Sequence, residues 1–222
     1  MGRNKNPEET VQKIMDAGAQ LFIQKGYDGT TLQDIIDATG LSKGAIYHHF
    51  KSKEDIFIRI CDRLGDENAR VLSAVRDDPN MTGAQKLKGL FRSALIDQIQ
   101  NQLSLLNMMP YLLDNSRFLG IQIASLYDEV APDYIQPILE AGIADGSIKA
   151  DHPAALAEAI VILSEIWMHP LIRPSTPEEV QARCAVFRQI TDGLGIEILD
   201  DEMTERYVFI ANELARIRGE GK

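Results

Sequence analysis

The chain has 222 residues, of which 45% are hydrophobic and 25% are charged, and this composition excludes disorder of the whole chain. Its length is enough to bury a core as one or two domains. The net charge of -10 would normally argue against a nucleic-acid partner, but residues 1–53 carry +1 and the remainder carries -11.

The cysteines and the apolar runs give a second set of exclusions. Cys61 and Cys184 are far apart in sequence, so they predict neither a disulfide framework nor a metal motif. The N-terminus lacks the apolar segment of a signal peptide. The most apolar long run, Ala154–Met168, contains two glutamates and is short for a bilayer span. We therefore predict a cytoplasmic protein.

Apolar residues recur at helical spacing along the chain, which predicts an all-α fold. In the first third, the pattern predicts a helix that ends at Gly26, short helices over 32–39 and 43–50, and a long helix over about 53–77. Farther along, it predicts helices over about 83–108, 117–130, 132–144, 153–168, 177–193 and 201–218. We predict a domain over residues 1–53 and a larger domain over 54–222, linked through the long helix. The role of the helix over 201–218 stays open.

The two short helices have the pattern of a helix-turn-helix. Thr31 and Ser42 precede them as N-caps, and Gly40 ends the first. The second helix would expose Lys43, Gly44, Tyr47 and His48 on one face, and such a face can enter the DNA major groove. A lysine can neutralise a phosphate, a glycine lets the backbone approach the duplex, and the tyrosine and histidine can donate hydrogen bonds to phosphates.

Residues 26–55, GYDGTTLQDIIDATGLSKGAIYHHFKSKED, strongly resemble the DNA-binding domain of TetR-family transcriptional regulators. The resemblance implies a homodimer of nine or ten helices per chain that binds a palindromic operator, usually as a repressor released by a small molecule. It implies that Thr31, Ser42, Tyr47, His48 and Lys53 hold the phosphate backbone, and that Gln33, Lys43, Gly44 and Ala45 lie near or on base edges. Ile36 departs from the pattern, because a small residue is common four positions before the turn glycine.

The same residues could also belong to a metal site, an ordinary solvated surface or an enzyme active site. His48 and His49 point about 100° apart on a helix, so one metal ion cannot easily bind both. The lysines alone would also fit an ordinary solvated face. The sequence offers no evident nucleophile, base or cofactor-binding loop of an enzyme. Gly193 and Gly195 do not follow a predicted strand, so they do not form a dinucleotide-binding motif. We predict no catalytic residues, no cofactor and no metal site.

The larger domain is expected to hold the effector and the dimer interface. We expect some members of a group of aromatic, methionine and glutamine side chains to line a mostly apolar effector cavity. Each of them alone would also fit the core of a plain helix bundle. The group is Met108, Met109, Tyr111, Phe118, Gln122, Tyr127 and Trp167. The apolar positions of two late helices are candidates for a subunit interface, and the surplus apolar surface of the first helix suggests a partner. These positions are Ala155, Ala159, Ile162, Leu163 and Ile166 on one helix and Val180, Cys184, Phe187 and Ile190 on the other.

One alternative from another class stays open. A TetR-like helical protein could have lost DNA binding and carry a lipid or another hydrophobic ligand as an adaptor. The intact turn at Ser42–Gly44, together with Tyr47 and Lys53, speaks against it. The effector, the operator and the choice between repression and activation cannot be deduced from the sequence.

Overall fold

The computed structural model describes residues 7–97, 116–170, 172–173 and 175–219, and the regular structure within these ranges is helical. The helices are α1 (Pro7–Lys25), α2 (Leu32–Thr39), α3 (Lys43–His49), α4 (Lys53–Arg76), α5 (Gly83–Arg92), α6 (Ser116–Ser125), α7 (Gln136–Asp145), α8 (Pro153–Ile162), α9 (Pro177–Gly193) and α10 (Asp201–Arg218). Within the same ranges, three π-helical stretches extend or join these helices: Ser93–Asp97 after α5, Leu126–Ile135 between α6 and α7, and Leu163–Met168 after α8. The all-α prediction is confirmed.

The described chain divides into two compact units between Asn68 and Ala69, inside α4. The sequence-based division at residue 53 marks the first residue of this helix. The first unit extends beyond it because Ile56, Phe57 and Ile60 of α4 are fully buried there. No helix in the described ranges combines the length and the apolar character that crossing a membrane requires.

An aromatic cluster forms the centre of the first unit. The rings of Phe22, Tyr27 and Phe57 lie with centroids 5.0 to 5.6 Å apart, in tilted and edge-to-face arrangements that aromatic pairs favour. A Cβ atom on Gly18 would lie only 3.0 Å from Cγ2 of Ile56, so this glycine lets α1 and α4 approach closely. The unit therefore has a dense core beneath its short helices.

Local capping groups fix the ends of the two short helices. The Thr31 side chain accepts a hydrogen bond from the backbone N–H of Asp34, and the Asp34 carboxylate accepts one from the backbone N–H of Thr31. Gly40 ends α2 at φ +63°, a conformation that favours glycine. Ser42 caps α3 by accepting from the N–H of Ala45. Both predicted N-caps and the predicted turn glycine are confirmed.

Close backbone packing characterises the second unit. A Cβ on Gly83 of α5 would lie 2.2 Å from the backbone of Gly142 on α7, so the two helices touch through glycines. Asp145 accepts a 2.8 Å hydrogen bond from the N–H of Gly83, and its hydrogen bonds from Ser147 and Gly83 hold the pKa of that carboxyl below its usual value. Helices α9 and α10 also pack together.

Two expectations about the second unit are corrected. The predicted break between residues 130 and 132 is absent, because the helical path continues through Pro132 in the π-helical stretch Leu126–Ile135. Apolar spacing predicts Val180, Cys184 and Phe187 at a subunit interface, but their side chains are fully buried within the chain. Periodicity showed that this face of α9 is apolar, and it did not show which neighbour covers it.

Candidate nucleic-acid interface

Helix α3 is held by its apolar face and presents its polar face to solvent. Ile46 is 0% exposed and the adjoining Phe50 is 2% exposed, which fixes the helix on the core of the first unit. Lys43, Gly44 and Tyr47 are exposed, and the side chain of Tyr47 is 48% exposed. Positions 43 and 47 lie one helical turn apart and so share a face. An outward tyrosine of this size is available to a partner.

Lys43 and Tyr47 interact with each other on the exposed surface of α3. The Lys43 Nζ lies 5.7 Å from the centroid of the Tyr47 ring, within the range of a weak cation–π contact. A Cβ on Gly44 would meet no atom within 4 Å, so packing within the chain does not require a glycine here. The missing side chain instead leaves the backbone of α3 open to close approach from outside.

Ser42 and Thr31 use their hydroxyl groups differently. The Ser42 Oγ accepts a hydrogen bond from the N–H of Ala45 at 3.2 Å, which leaves the hydroxyl hydrogen for an outside acceptor such as a phosphate oxygen. The Thr31 hydroxyl accepts from the N–H of Asp34 and also donates to Asp34 Oδ2 at 2.6 Å. Its hydrogen is therefore engaged within the capping box, so the two caps are not equivalent as phosphate donors.

Asp34 lies near the start of α2, and its negative charge, if unpaired, would repel an anionic partner. Its carboxylate pairs with Lys25 Nζ at 2.9 Å. This pairing, with the hydrogen bonds from Thr31, holds the pKa of Asp34 well below its usual value. The carboxylate is thus charged and locally neutralised by the lysine. The T-x-x-D spacing of the capping box is readable in the sequence, whereas the pairing across the turn is not.

Gln33 and Ala45 are less prominent on this surface. Gln33 is exposed, and its amide Nε2 donates to the Asp37 carboxylate at 2.7 Å. Ala45 is half-buried. Contact of either with a base edge stays a prediction.

The neighbouring histidines occupy different environments. His48 is exposed and His49 is half-buried, with ring centroids 4.9 Å apart and planes nearly perpendicular. Within the described ranges, no three His, Cys, Asp or Glu side chains form a group that could hold a metal ion. His48 is exposed, as Lys43 and Tyr47 are, so all three belong to the solvent-facing surface of α3.

Lys53 differs from these residues because its charged group contacts the protein itself. Its ammonium donates to the carbonyl oxygens of Tyr27 at 2.7 Å and Thr30 at 2.8 Å, and lies 4.0 Å from the centroid of the Tyr27 ring. The lysine is half-buried. The phosphate contact predicted for Lys53 stays a prediction, and in this structure the ammonium holds the turn between α1 and α2.

The predicted effector residues do not converge within the described ranges. Met108, Met109 and Tyr111 lie outside them, and the side chain of Phe118 is not described. Gln122, Tyr127 and Trp167 are exposed. A groove of about 730 Å³ in the second unit is lined by other residues, among them Ile143, Ile148, His152, Leu156 and Leu194.

Comparison with known proteins decides what kind of domain carries this surface. Residues 14–60 match the family profile of bacterial regulatory proteins, tetR family. The chain is 30% identical over 151 residues to the HTH-type transcriptional repressor KstR2 of Rhodococcus jostii, a match that spans 65% of this chain and 71% of that protein. This chain belongs to the TetR family. Its first unit is thus the helix-turn-helix DNA-binding domain of a transcriptional regulator.

Other TetR-family relatives extend the likeness beyond the DNA-binding domain. The HTH-type transcriptional repressor DhaR of Mycobacterium sp. is 26% identical over 163 residues, which cover 73% of this chain and 80% of that protein. A TetR/AcrR-family regulator from Thermobifida fusca has the same fold, with a TM-score of 0.59 and 24% identity over 86% of this chain and all of the other. The fold of the second unit is therefore also that of the TetR family.

Proposed function

We propose that this TetR-family regulator is a homodimeric repressor that binds a palindromic operator through α3 and is released by a small, largely apolar effector. The exposed α3 face is the observation that carries the proposal. Lys43, Tyr47 and His48 point outward while Ile46 and Phe50 anchor the helix. Side chains that are exposed and donate hydrogen bonds or carry positive charge suit the phosphates and base edges of a major groove.

Contacts are assigned according to what each group has available. Ser42, Tyr47 and His48 would donate to phosphates, and Lys43 would neutralise a phosphate or reach a guanine edge. Gly44 would let the α3 backbone approach the duplex. Gln33 and Ala45 would lie near the bases, and Thr31 would contribute mainly by ordering the start of α2. The names of KstR2 and DhaR as transcriptional repressors support repression.

An apolar surface on the second unit supports a dimer. The face of α8 and its π-helical extension opposite the buried one carries Ala155, Ala159, Ile162 and Ile166, which are exposed or half-buried. On α9, Val186 and Ile190 are each 42% exposed and lie one turn apart. Apolar stripes of this kind favour burial against another subunit. A two-fold dimer would place two α3 helices about 34–36 Å apart, one turn of DNA.

The release step follows from linkage between two binding equilibria. An effector that weakens operator binding must bind the free regulator more tightly than the DNA-bound regulator, by the same factor. Helix α4 runs without a break through the point where the two units divide, and it is one covalent connection between them. Equal effector affinity for free and operator-bound protein would contradict this coupling.

A mobility-shift experiment with DNA flanking the protein's own gene, and with a random-sequence pool, tests the proposal. Wild type should bind with an affinity that falls as salt rises, because phosphate contacts release counterions. The variant Lys43→Ala/Tyr47→Ala should lose binding while its far-UV circular dichroism is unchanged, since both side chains are exposed. Lys149→Ala, an exposed lysine of the second unit, is the control and should bind as wild type.

Two results would contradict the proposal. Wild type that binds neither DNA would favour the hydrophobic-ligand adaptor. Unchanged binding by the double variant would place the DNA surface elsewhere.

A further inference from the structure

Lys53 is the basic residue of the predicted DNA surface whose charged group is directed into the protein. Its Nζ donates to the carbonyl oxygens of Tyr27 and Thr30 at 2.7 and 2.8 Å. The same nitrogen lies 4.0 Å from the centroid of the Tyr27 ring. An ammonium has three donor hydrogens, so two carbonyls and an aromatic face satisfy it fully. A phosphate contact would require Lys53 to leave these partners.

The two carbonyls belong to a turn that is itself tightly held. Thr30 is 1% exposed, and its hydroxyl lies 2.8 Å from the carbonyl of Gly26 and 3.2 Å from that of Leu21. Tyr27 also accepts from the N–H of Thr30 and packs on Phe22 and Phe57. The ammonium therefore joins the first residue of α4 to an ordered turn rather than to a loose loop.

This turn leads directly into the start of α2. Thr30 is followed by Thr31, whose capping box with Asp34 orients the first turn of that helix. A residue that fixes the carbonyl of Thr30 thus restricts where α2 begins. Any displacement of the first turn of α4 would be passed to α2 through the Lys53 hydrogen bonds.

We propose that Lys53 is a positioning residue, which locks the α1–α2 turn and the start of α2 to the first turn of α4 and keeps these contacts when operator DNA is bound. The inference rests on the proposed function, because operator affinity is the property that Lys53 controls. It assigns Lys53 a role through Tyr27 and Thr30 instead of through a phosphate.

The salt dependence of operator binding separates the two roles. The slope of log K against log salt is negative, and each phosphate that a lysine neutralises contributes about −0.9 to it. Lys53→Met should weaken operator binding by about tenfold, equivalent to about 1.4 kcal/mol, with a slope equal to that of wild type. Lys43→Met removes an exposed cation from α3 and serves as the comparison. Its slope should be less negative than that of wild type.

Affinities are measured at a temperature where circular dichroism shows each variant to be fully folded. A role confined to stability would then leave the affinity of Lys53→Met equal to that of wild type. Unchanged affinity of Lys53→Met, or a slope that is less negative than that of wild type by about 0.9, would overturn the proposal.

A double-mutant cycle tests whether Lys53 acts through Tyr27. Tyr27→Leu removes the aromatic face, and Tyr27→Phe keeps it as the matched control. The variant Lys53→Met/Tyr27→Leu should bind operator no more weakly than the weaker single variant, because Lys53→Met already removes the ammonium that the Tyr27 ring contacts. Multiplication of the two effects would overturn the assignment.

A spectroscopic measurement on wild type avoids any question of folding. Side-chain resonances of Lys53, observed with labelled lysine, should be shifted upfield by the Tyr27 ring in free protein and should stay so in the operator complex. Their return to ordinary lysine values on DNA binding would overturn the proposal. If wild type binds no DNA, the proposed function fails, and an unshifted Lys53 resonance in the free protein would overturn the lock independently.

Discussion

The two units expose different kinds of chemistry on otherwise similar helices. In the first, the outward face of α3 is polar and cationic, and its apolar residues, such as Ile46, are buried. In the second, α9 exposes Val186 and Ile190 while its other apolar face packs within the chain. A polar donor surface suits a polyanion, and an exposed apolar stripe suits another protein surface. The contrast predicts that changes in the two units affect different measurements.

The largest effect is expected from a charge on the apolar stripe of α9. Val186→Glu should convert the proposed dimer into a monomer, because burial of an unpaired carboxylate costs several kcal/mol. Operator affinity should then fall by more than about 100-fold, since one half-site contact is lost. Sedimentation equilibrium and the mobility shift measure both. Gln181→Glu adds the same charge on another exposed part of α9 and should leave the dimer intact. A dimeric Val186→Glu would exclude this stripe from the interface.

A methyl group between α5 and α7 should destabilise the second unit. In Gly83→Ala the new Cβ would lie 2.2 Å from the Gly142 backbone, so the helices must separate. We expect a loss of about 3 kcal/mol in the free energy of unfolding. Urea unfolding followed by Trp167 fluorescence measures it. Gly120→Ala, where a Cβ meets no atom within 4 Å, is the control and should not destabilise. Equal stability of Gly83→Ala would contradict the close packing.

Acid should weaken the second unit through His169. Burial lowers the pKa of this imidazole from 6.5 to about 4. Because the folded state disfavours the proton, the stabilisation is fully present above about pH 6.5 and is lost as pH falls towards 4, with a slope of at most about 1.4 kcal/mol per pH unit. Unfolding monitored at Trp167 between pH 7 and pH 4.5 should show this loss in wild type and a smaller one in His169→Gln. Identical pH dependence of the two proteins would rule out this origin.

The smallest effect is expected at Gly44, and stability and binding should change in opposite directions. A Cβ there meets no atom within 4 Å, so Gly44→Ala should raise stability by up to about 1 kcal/mol through helix propensity. The same methyl group would stand between the α3 backbone and DNA and should weaken operator binding. Thermal unfolding and the mobility shift measure the two. Unchanged binding would remove Gly44 from the interface.

Much of the first unit follows from local signals in the sequence. Thr31, Gly40 and Ser42 predict the ends of α2 and α3, because capping depends on residues three or four positions apart. The contacts of Lys53 could not be predicted, since its acceptors at Tyr27 and Thr30 lie 26 and 23 residues away. Lysine near a basic surface suggests a phosphate contact, and only the folded turn shows another set of acceptors.

The second unit was less predictable because apolar spacing does not identify the covering neighbour. On α9, Val180, Cys184 and Phe187 form the intrachain face, and the exposed stripe lies at other positions. The sequence pattern predicts a helix boundary at Pro132, although π-helical turns allow the helical path to continue through it. Both differences depend on tertiary packing, which composition and periodicity do not contain.

The central claim is that the exposed face of α3 grips DNA. Fluorescence anisotropy with one labelled operator duplex, over a series of salt concentrations, tests it most directly. Wild type should give a steep negative slope of log K against log salt, and Lys43→Ala/Tyr47→Ala should bind at least about 100-fold more weakly with a smaller slope. Equal affinity and equal slope for the two proteins would contradict the claim.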